Sequence, residues 1–316
     1  MGVARIWNGP YVLISPFMIL FGVFVLLPTG YAIYMSLFSS NGAIFGAKFV
    51  GFRNYVSVFQ EGQFWDSIAR MLYFGVVQVS VMVALALTLA LLIDSGISRF
   101  GGIYRVVYFL PYAVPGAVAS ILWGYMYDPA FGPLGGLLHA MTGRSVDFLS
   151  GGALLYSLMN VVTWEVTGFS VMLMLAGLTS ISHDLVEAAR LDGASEWKIA
   201  LRIKVPMIRP ILMFVSVLAV IGALQLFNEP YVFRSITAVS PTFSPNLSVY
   251  LTTFSDARLH FGTTMALMLA AVTLVVLGVL FTGIRFVVAA GDRHRQRALS
   301  QLEAKRKRSR EGKGAL

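Results

Sequence analysis

The stretch Glu187–Pro210 reads E-A-A-R-L-D-G-A-S-E-W-K-I-A-L-R-I-K-V-P-M-I-R-P and sits between two long apolar runs. Its charge predicts a loop outside a membrane. Its grammar predicts two short helices joined by a tight turn. Asp184 is placed to cap the first helix, with Glu187 three residues on reaching back as in a capping box. Gly193 stands where that helix must stop, and glycine takes the left-handed conformation a helix end often needs. Ser195 is placed to cap the second helix, with Glu196 near its positive end. Trp197, Leu201 and Val205 then fall on one face at i, i+4, i+8. Pro206 and Pro210 end the unit or start the next segment.

Composition sets the surroundings of this loop. The 316 residues are 57% hydrophobic and 12% charged, against about 25% charged in a soluble domain. Mean hydropathy is +0.75. An all-α integral membrane protein is expected, without a large soluble domain to house separate chemistry. The chain has no cysteine, which excludes disulfides, thiolate chemistry and cysteine-bound metals. His139, His183, His260 and His294 are scattered and form no metal-like spacing. The net charge of +9 reads as a basic tail beside anionic lipid, not as a nucleic-acid surface.

Six transmembrane helices are expected, at about residues 11–38, 67–93, 106–127, 153–178, 211–229 and 262–288. The first is too long for a typical signal-peptide core and lacks a small-residue cleavage site, so it reads as a retained helix, with Pro28 and Gly30 kinking or tilting it. Pro111 and Pro115 lie deep in the third segment, where freed backbone groups need other partners; they point to a helix that bends or lines a cavity. Residues 1–10 form a short N-terminus, 179–210 the charged loop and 289–316 a basic tail. Eighteen of the 24 lysines and arginines fall on the side of the termini and the charged loop. Lys48, Arg53, Arg70, Arg144, Arg234 and Arg258 fall on the other. The positive-inside rule therefore puts both termini and the loop in the cytoplasm. That assignment leans on the tail; without it the two sides carry eight and six.

Glu187-Ala188-Ala189, then Asp192-Gly193-Ala194, Trp197, Ile203 and Val205-Pro206 resemble the EAA loop of binding-protein-dependent ABC importer permeases. Other stretches carry the same resemblance to the sugar-type members: Phe49-Val50-Gly51 with Asn54-Tyr55 and Phe64-Trp65, Phe109 to Pro115, Asp128 to Leu134, and Leu175 to Leu178. The first of these also reads as an interfacial aromatic belt. Two stretches depart from the pattern. Ile181-Ser182 stands where the family has Ile-Pro, and Ser240 to Pro245 replaces a Thr-x-Gly-Gly-Pro element on the face where a solute-binding protein would sit.

The resemblance implies a type I ABC importer permease, in the prokaryotic cytoplasmic (inner) membrane. It is similar to the first of the two paired permeases in maltose- and glycerol-phosphate-type systems. The implied partners are a second homologous permease, two ATP-binding subunits that would hold ATP and Mg, and an extracytoplasmic solute-binding protein. The implied docking residues for the ATPase are Glu187, Ala188, Ala189, Asp192, Gly193, Ala194, Trp197, Ile203 and Pro206. The chain has no G-x-x-x-x-G-K-[ST] loop and no plausible catalytic triad or carboxylate pair, so no enzyme and no cofactor are expected within it.

Polar residues inside the apolar segments are the candidates for the solute pathway: Asn160, Trp164 and Glu165 in the fourth, and Gln225, Asn228 and Glu229 where the fifth is expected to end near water. An ionised carboxylate at mid-span costs at least about 2.5–3.5 kcal/mol. Glu165 therefore faces a wet cavity or a partner helix, or is protonated. It reads equally as an acceptor for sugar hydroxyls and as a structural bond to the partner permease. Trp164 can stack on a sugar ring or simply pack. Spans two to five lack a deep lysine or arginine, which favours a neutral hydroxylated solute, a carbohydrate or polyol, over a phosphorylated one. Two other readings stay open: a secondary transporter built from six-span halves, and a membrane receptor or scaffold that moves no solute.

Overall fold

The structure, a computed structural model, describes residues 10–39, 46–95, 101–144, 146–283 and 285. Residues 1–9, the whole of the expected basic tail 289–316 and the end of the expected sixth span lie outside it. The chain divides into two units, Met1–Ala271 and Val272–Leu316. The first holds all the features below except the end of the last helix. In the second, the described residues continue a helix to Gly283, and Arg285 lies over the Phe281 ring.

Helix α1 (Tyr11–Ser36) is the first apolar span, and no part of its most apolar window is buried within the chain. It contains one π-helical turn, Gly22–Leu26, closed by Leu27 N–H to the Gly22 carbonyl. The widened turn lies immediately before Pro28, whose ring would otherwise meet the carbonyl four residues back. A two-residue antiparallel pair follows, β1 (Phe38–Ser39) with β2 (Lys48–Phe49). Then comes α2 (Arg53–Phe59). The Asn54-Tyr55 pair has a local task here. Asn54 Nδ2 donates to the carbonyls of Ser36 and Phe38, each at 2.7 Å, and Tyr55 Oη meets Ser36 Oγ at 2.8 Å. Orphan carbonyls at the end of α1 are thereby satisfied. Phe49, Phe52 and Phe59 remain exposed, as an interfacial belt requires.

The long α3 (Gly62–Asp94) is followed by α4 (Gly101–Ala113) and α5 (Gly116–Tyr127). The expected third span is therefore not one rod. Its two helices meet at 96° across Val114-Pro115. Pro115 has no N–H to give and takes extended angles, φ −57° and ψ 133°, so the helix must restart at Gly116. Among the described residues five helices are long and apolar enough to span, and the bent pair makes a sixth if it crosses as a unit.

After α6 (Pro133–Thr142) comes α7 (Ala153–Thr179). The charged loop holds α8 (His183–Leu191) and α9 (Glu196–Ile199). The next apolar stretch is α10 (Arg209–Leu224) with the short α11 (Asn228–Phe233). A short α12 (Pro245–Tyr250) and α13 (Leu259–Gly283) complete the described helices.

The core lies where α3, α7 and α10 pack together. Lipid gives helices no hydrophobic reason to associate, so small residues that allow close approach matter most. Ala86 and Ala90 of α3 are fully buried. Gly168 of α7 lies against the Tyr108 carbonyl of α4, where a Cβ would overlap backbone atoms. The same buried cluster continues from Met82, Val171 and Met174 to Ile181, Val186, Ile199 and Ile208 of the charged loop. The loop is thus packed onto the helices that it joins.

Candidate functional site

The charged loop is a closed helix–turn–helix. Gly193 has φ +78°. The Gly193 amide donates to the Arg190 carbonyl at 2.9 Å and the Ala194 amide to the Ala189 carbonyl at 3.0 Å. This is the double bond pattern of a Schellman stop, with Gly193 as its left-handed residue. Ser195 is the N-cap of α9 in extended conformation, without a side-chain cap bond. Arg190 Nε donates to Glu196 Oε1 at 2.6 Å and ties the two helices together. That bond holds the Glu196 carboxyl below the usual carboxylate range.

The capping box expected at Asp184 and Glu187 does not form. The N-cap is Ser182, and Asp184 lies in the first turn. Ile181 is buried in the core cluster, which fixes the entry of the chain two residues earlier. Glu187 is then too far along the helix to reach the cap. The i, i+4, i+8 face is also shortened. Trp197 and Leu201 are exposed, but the π-helical turn Ala200–Lys204 turns Val205 partly inward.

The loop residues separate into two faces. Glu187, Ala188, Asp192, Gly193 and Trp197 are exposed. Trp197 is 71% and Leu191 89% exposed, and Leu185 and Leu201 lie open beside them. Ala189, Ala194 and Ile203 pack on the buried cluster, and Pro206 is half-buried in a short helical turn. Sequence reasoning missed Leu191 and Leu185, whose exposure is decided by the packing of Val186 between them. It also missed the ion pair of Lys204 with Asp94, 2.6 Å across.

The second group of polar residues lies inside the membrane segments. Glu165 of α7 and Asn228 and Glu229 of α11 converge on Gly116, the first residue of α5. A Cβ at Gly116 would lie 3.1 Å from Glu229 Oε1, 3.8 Å from Asn228 Nδ2 and 3.8 Å from Glu165 Oε1. Glu165 Oε1 is buried and has no hydrogen-bond partner among the described residues, and it and Glu229 Oε1 both stand within 3.8 Å of the same Cβ position. Glu229 is not near water at a helix end, as the sequence suggested; it is 7% exposed. The reason is Pro230. A helix cannot run through a proline with its i−4 carbonyl in place. The chain therefore leaves α10 at Leu224 and restarts as α11, which swings Glu229 inward.

The other candidates are arranged around this cluster without joining it. Asn160 Nδ2 donates to Tyr127 Oη at 2.7 Å. Trp164 meets the Trp123 ring edge-on at 5.8 Å, and the Trp123 indole N–H is buried without a partner among the described residues. Gln225 is exposed, and its backbone carbonyl accepts from Asn246. Gly116, Trp123 and Tyr127 were not singled out by the sequence. The break at Val114-Pro115 was the available signal, because it aims the start of α5 at α7. Among the described residues no cluster of acidic or histidine side chains could hold a metal ion.

Residues 86–291 match the family model described as the inner membrane component of binding-protein-dependent transport systems. The chain is 30% identical to the lactose transport system permease protein LacF of Rhizobium radiobacter, over 77% of this chain and 82% of that one. It is 31% identical to the trehalose/maltose transport system permease protein MalF of Thermococcus litoralis, over 70% and 75%. A solved bacterial alginate ABC transporter, in complex with a periplasmic protein bound to an alginate pentasaccharide, has the same fold. One of its chains superposes with a TM-score of 0.75 at 22% identity, covering 88% of this chain and 94% of that one. With a family match over well over half of its length, the chain belongs to the inner membrane components of binding-protein-dependent transport systems.

Proposed function

We propose that this chain forms half of the translocation pathway of an ATP-driven importer for a carbohydrate or polyol, and is a transport permease, not an enzyme. The observation that carries the reading is the exposed face of the charged loop. Glu187, Leu191, Gly193 and Trp197 stand free on a helix–turn–helix whose opposite face is packed onto α3 and α7. A rigid, apolar, solvent-facing patch on a membrane protein fits a protein groove. In this reading the groove is on a cytoplasmic ATP-binding subunit, which holds the ATP and Mg. The loop, both termini and the basic tail 289–316 then lie in the cytoplasm of a prokaryotic cell.

The second permease subunit completes the pathway, and an extracytoplasmic binding protein delivers the solute. ATP-driven closure of the two ATPases pulls the two loops together, and the packed cluster transmits that motion to α3 and α7. Such a device needs two packed states close in energy, with ATP biasing one. Within the pathway Glu165, Asn228 and Glu229 supply acceptors and a donor for hydroxyl groups. The sugar names of LacF and of the trehalose/maltose permease support this solute class.

Affinity purification from the native membrane, with and without Gly193→Asp, tests the reading. The expected result is that wild type brings down a second permease and an ATP-binding subunit, and that the variant loses the ATPase. Wild type recovered alone or as a homodimer would instead favour a secondary transporter, with the Glu165–Glu229 pair as its coupling carboxylates.

A further inference from the structure

At the end of α3 remote from the charged loop, a polar pocket of about 670 Å³ lies between α2 and the start of α13. Arg53, Arg258, Asp256 and His260 line it, together with Asn54 and Ser57. The two guanidinium groups have no ion-pair partner among the described residues; Arg258 lies over the Phe261 ring at 4.2 Å. Asp256 is the one carboxylate on the wall, so the pocket carries a net positive charge before His260 is counted. His260 is 4% exposed. Its Nδ1 is held on the Met35 carbonyl at 3.0 Å, and its Nε2 is buried without a partner among the described residues.

The backbone is also strained here. Ala257 has φ +53° and stands alone among the described non-glycine residues in the left-handed region. It turns the chain from a π-helical turn, Leu251–Ser255, into α13, and so aims Arg258 at the pocket. Strain of this kind persists where surrounding structure has a use for it.

We infer that this pocket binds the phosphate of an anionic phospholipid headgroup. Two free guanidinium groups suit a phosphodiester, which they meet with paired N–H donors. Phosphatidylglycerol is such a lipid, with the net negative charge that phosphatidylcholine lacks. The surroundings favour lipid as the source of the phosphate. The pocket opens beside the end of α1, a helix with no buried window in this chain. Phe49, Phe52 and Phe254, within two residues in sequence of the lining residues Val50, Arg53 and Asp256, are exposed, and aromatic side chains of this kind sit at headgroup level.

The purified permease complex in detergent is titrated with short-chain phosphatidylglycerol, short-chain phosphatidylcholine or inorganic phosphate at matched ionic strength, and its unfolding temperature is followed. A ligand that binds only the folded state raises that temperature with occupancy. Phosphatidylglycerol is expected to raise it and phosphatidylcholine to leave it unchanged. Arg53→Gln/Arg258→Gln is expected to weaken the response roughly tenfold or more, and Arg53→Lys/Arg258→Lys to keep part of it. An equal rise with inorganic phosphate supports the phosphate site with a soluble source. If the double glutamine variant loses the complex, Ser57→Trp, which fills the pocket without removing charge, is expected to abolish the response instead. Equal responses to the two lipids, or an unchanged phosphatidylglycerol response in an assembled double glutamine variant, would overturn the inference.

Discussion

Lys204 Nζ donates to Asp94 Oδ2 at 2.6 Å, joining residues 110 positions apart in sequence. The bond ties the last turn of α3 to the charged loop. Both side chains are largely buried, at 10% and 13% exposed. Beside it Ile199 and Ile208 are buried against α3 and α7. The loop therefore has a polar and an apolar attachment to the same helices, and a pull on one is a pull on the other.

Removing one partner of a buried pair strands a charge and costs about 3–5 kcal/mol, whereas replacing both with apolar residues costs far less. Lys204→Met should lower the unfolding temperature of the complex and uncouple ATP hydrolysis from uptake. Lys204→Met/Asp94→Leu should recover the stability. The exchange Lys204→Asp/Asp94→Lys should recover part of the coupling. Measuring ATP hydrolysed per solute moved separates these outcomes; a ratio unaffected by Lys204→Met would show that the ion pair transmits nothing.

Gly168 gives a sharper structural test. A Cβ there would overlap the Tyr108 carbonyl of α4, and a backbone atom cannot rotate away as a side chain can. Gly168→Ala should cost about 1–3 kcal/mol through displacement of α4. Gly222 of α10 has nothing within 4 Å of its Cβ position. Gly222→Ala should be neutral or gain up to about 1 kcal/mol from helix propensity. Thermal unfolding of the two variants side by side checks the contrast.

The parts of this fold that were legible in the sequence are those set by local chemistry or by hydropathy. Gly193 had to be left-handed because a helix ends there between Ala189 and Ala194, and it is. The apolar runs marked the long apolar helices, since length and composition suffice for that, but not the break at Val114-Pro115 that splits the third. Long-range contacts were not legible. Nothing in the sequence pairs Lys204 with Asp94. The position of Ile181 in the core cluster moved the cap to Ser182, and Pro230 turned Glu229 from the rim to the interior. In each case tertiary packing or a backbone break overrode a pattern that was correct in form.

Trp197 and Leu191 should matter to a partner and not to the fold, because most of their surface is exposed in this chain. Trp197→Ala should change the stability of the isolated chain by no more than about 0.5 kcal/mol. It should weaken binding of the ATP-binding subunit by about 2 kcal/mol or more, roughly thirtyfold. Gly193→Asn serves as its companion. Asparagine tolerates the left-handed region, so this variant should fold, and loss of ATPase binding would then report close approach of the partner at this position. Surface plasmon resonance with the purified ATPase reads both.

The Arg190–Glu196 bond predicts a limited acid sensitivity of the loop. Glu196 is held below its ordinary range, first by the hydrogen bond from Arg190. A depressed carboxylate contributes stability above its unfolded value, near about 4.3. That contribution is lost as pH falls through the lower, folded value. The clamp should therefore be intact at neutral pH and open only in strong acid. Hydrogen exchange at the Gly193 and Ala194 amides should accelerate there relative to Glu196→Gln, in which the charged clamp is already absent. Identical pH profiles for the two proteins would remove Glu196 as the cause.

The cluster at Gly116 tests the solute pathway itself. Glu165→Ala removes a carboxyl whose Oε1 has no hydrogen-bond partner among the described residues, so it should impair uptake by tenfold or more, about 1.4 kcal/mol at the least, without preventing assembly. If assembly fails instead, Glu165 serves the partner permease; if uptake is normal, it has no required role. Gly116→Ala probes the same space without removing a polar group. Its Cβ would press to 3.1 Å of Glu229 Oε1 and stand 3.8 Å from Glu165 Oε1. That is tight enough to move the Glu229 carboxyl yet leaves the backbone of α5 in place. The expected result is a raised KM for uptake with a complex of normal stability. A Gly116→Ala variant with unchanged KM would mean that the solute does not pass between α5, α7 and α11, and would return the Glu165–Glu229 pair to a purely structural role.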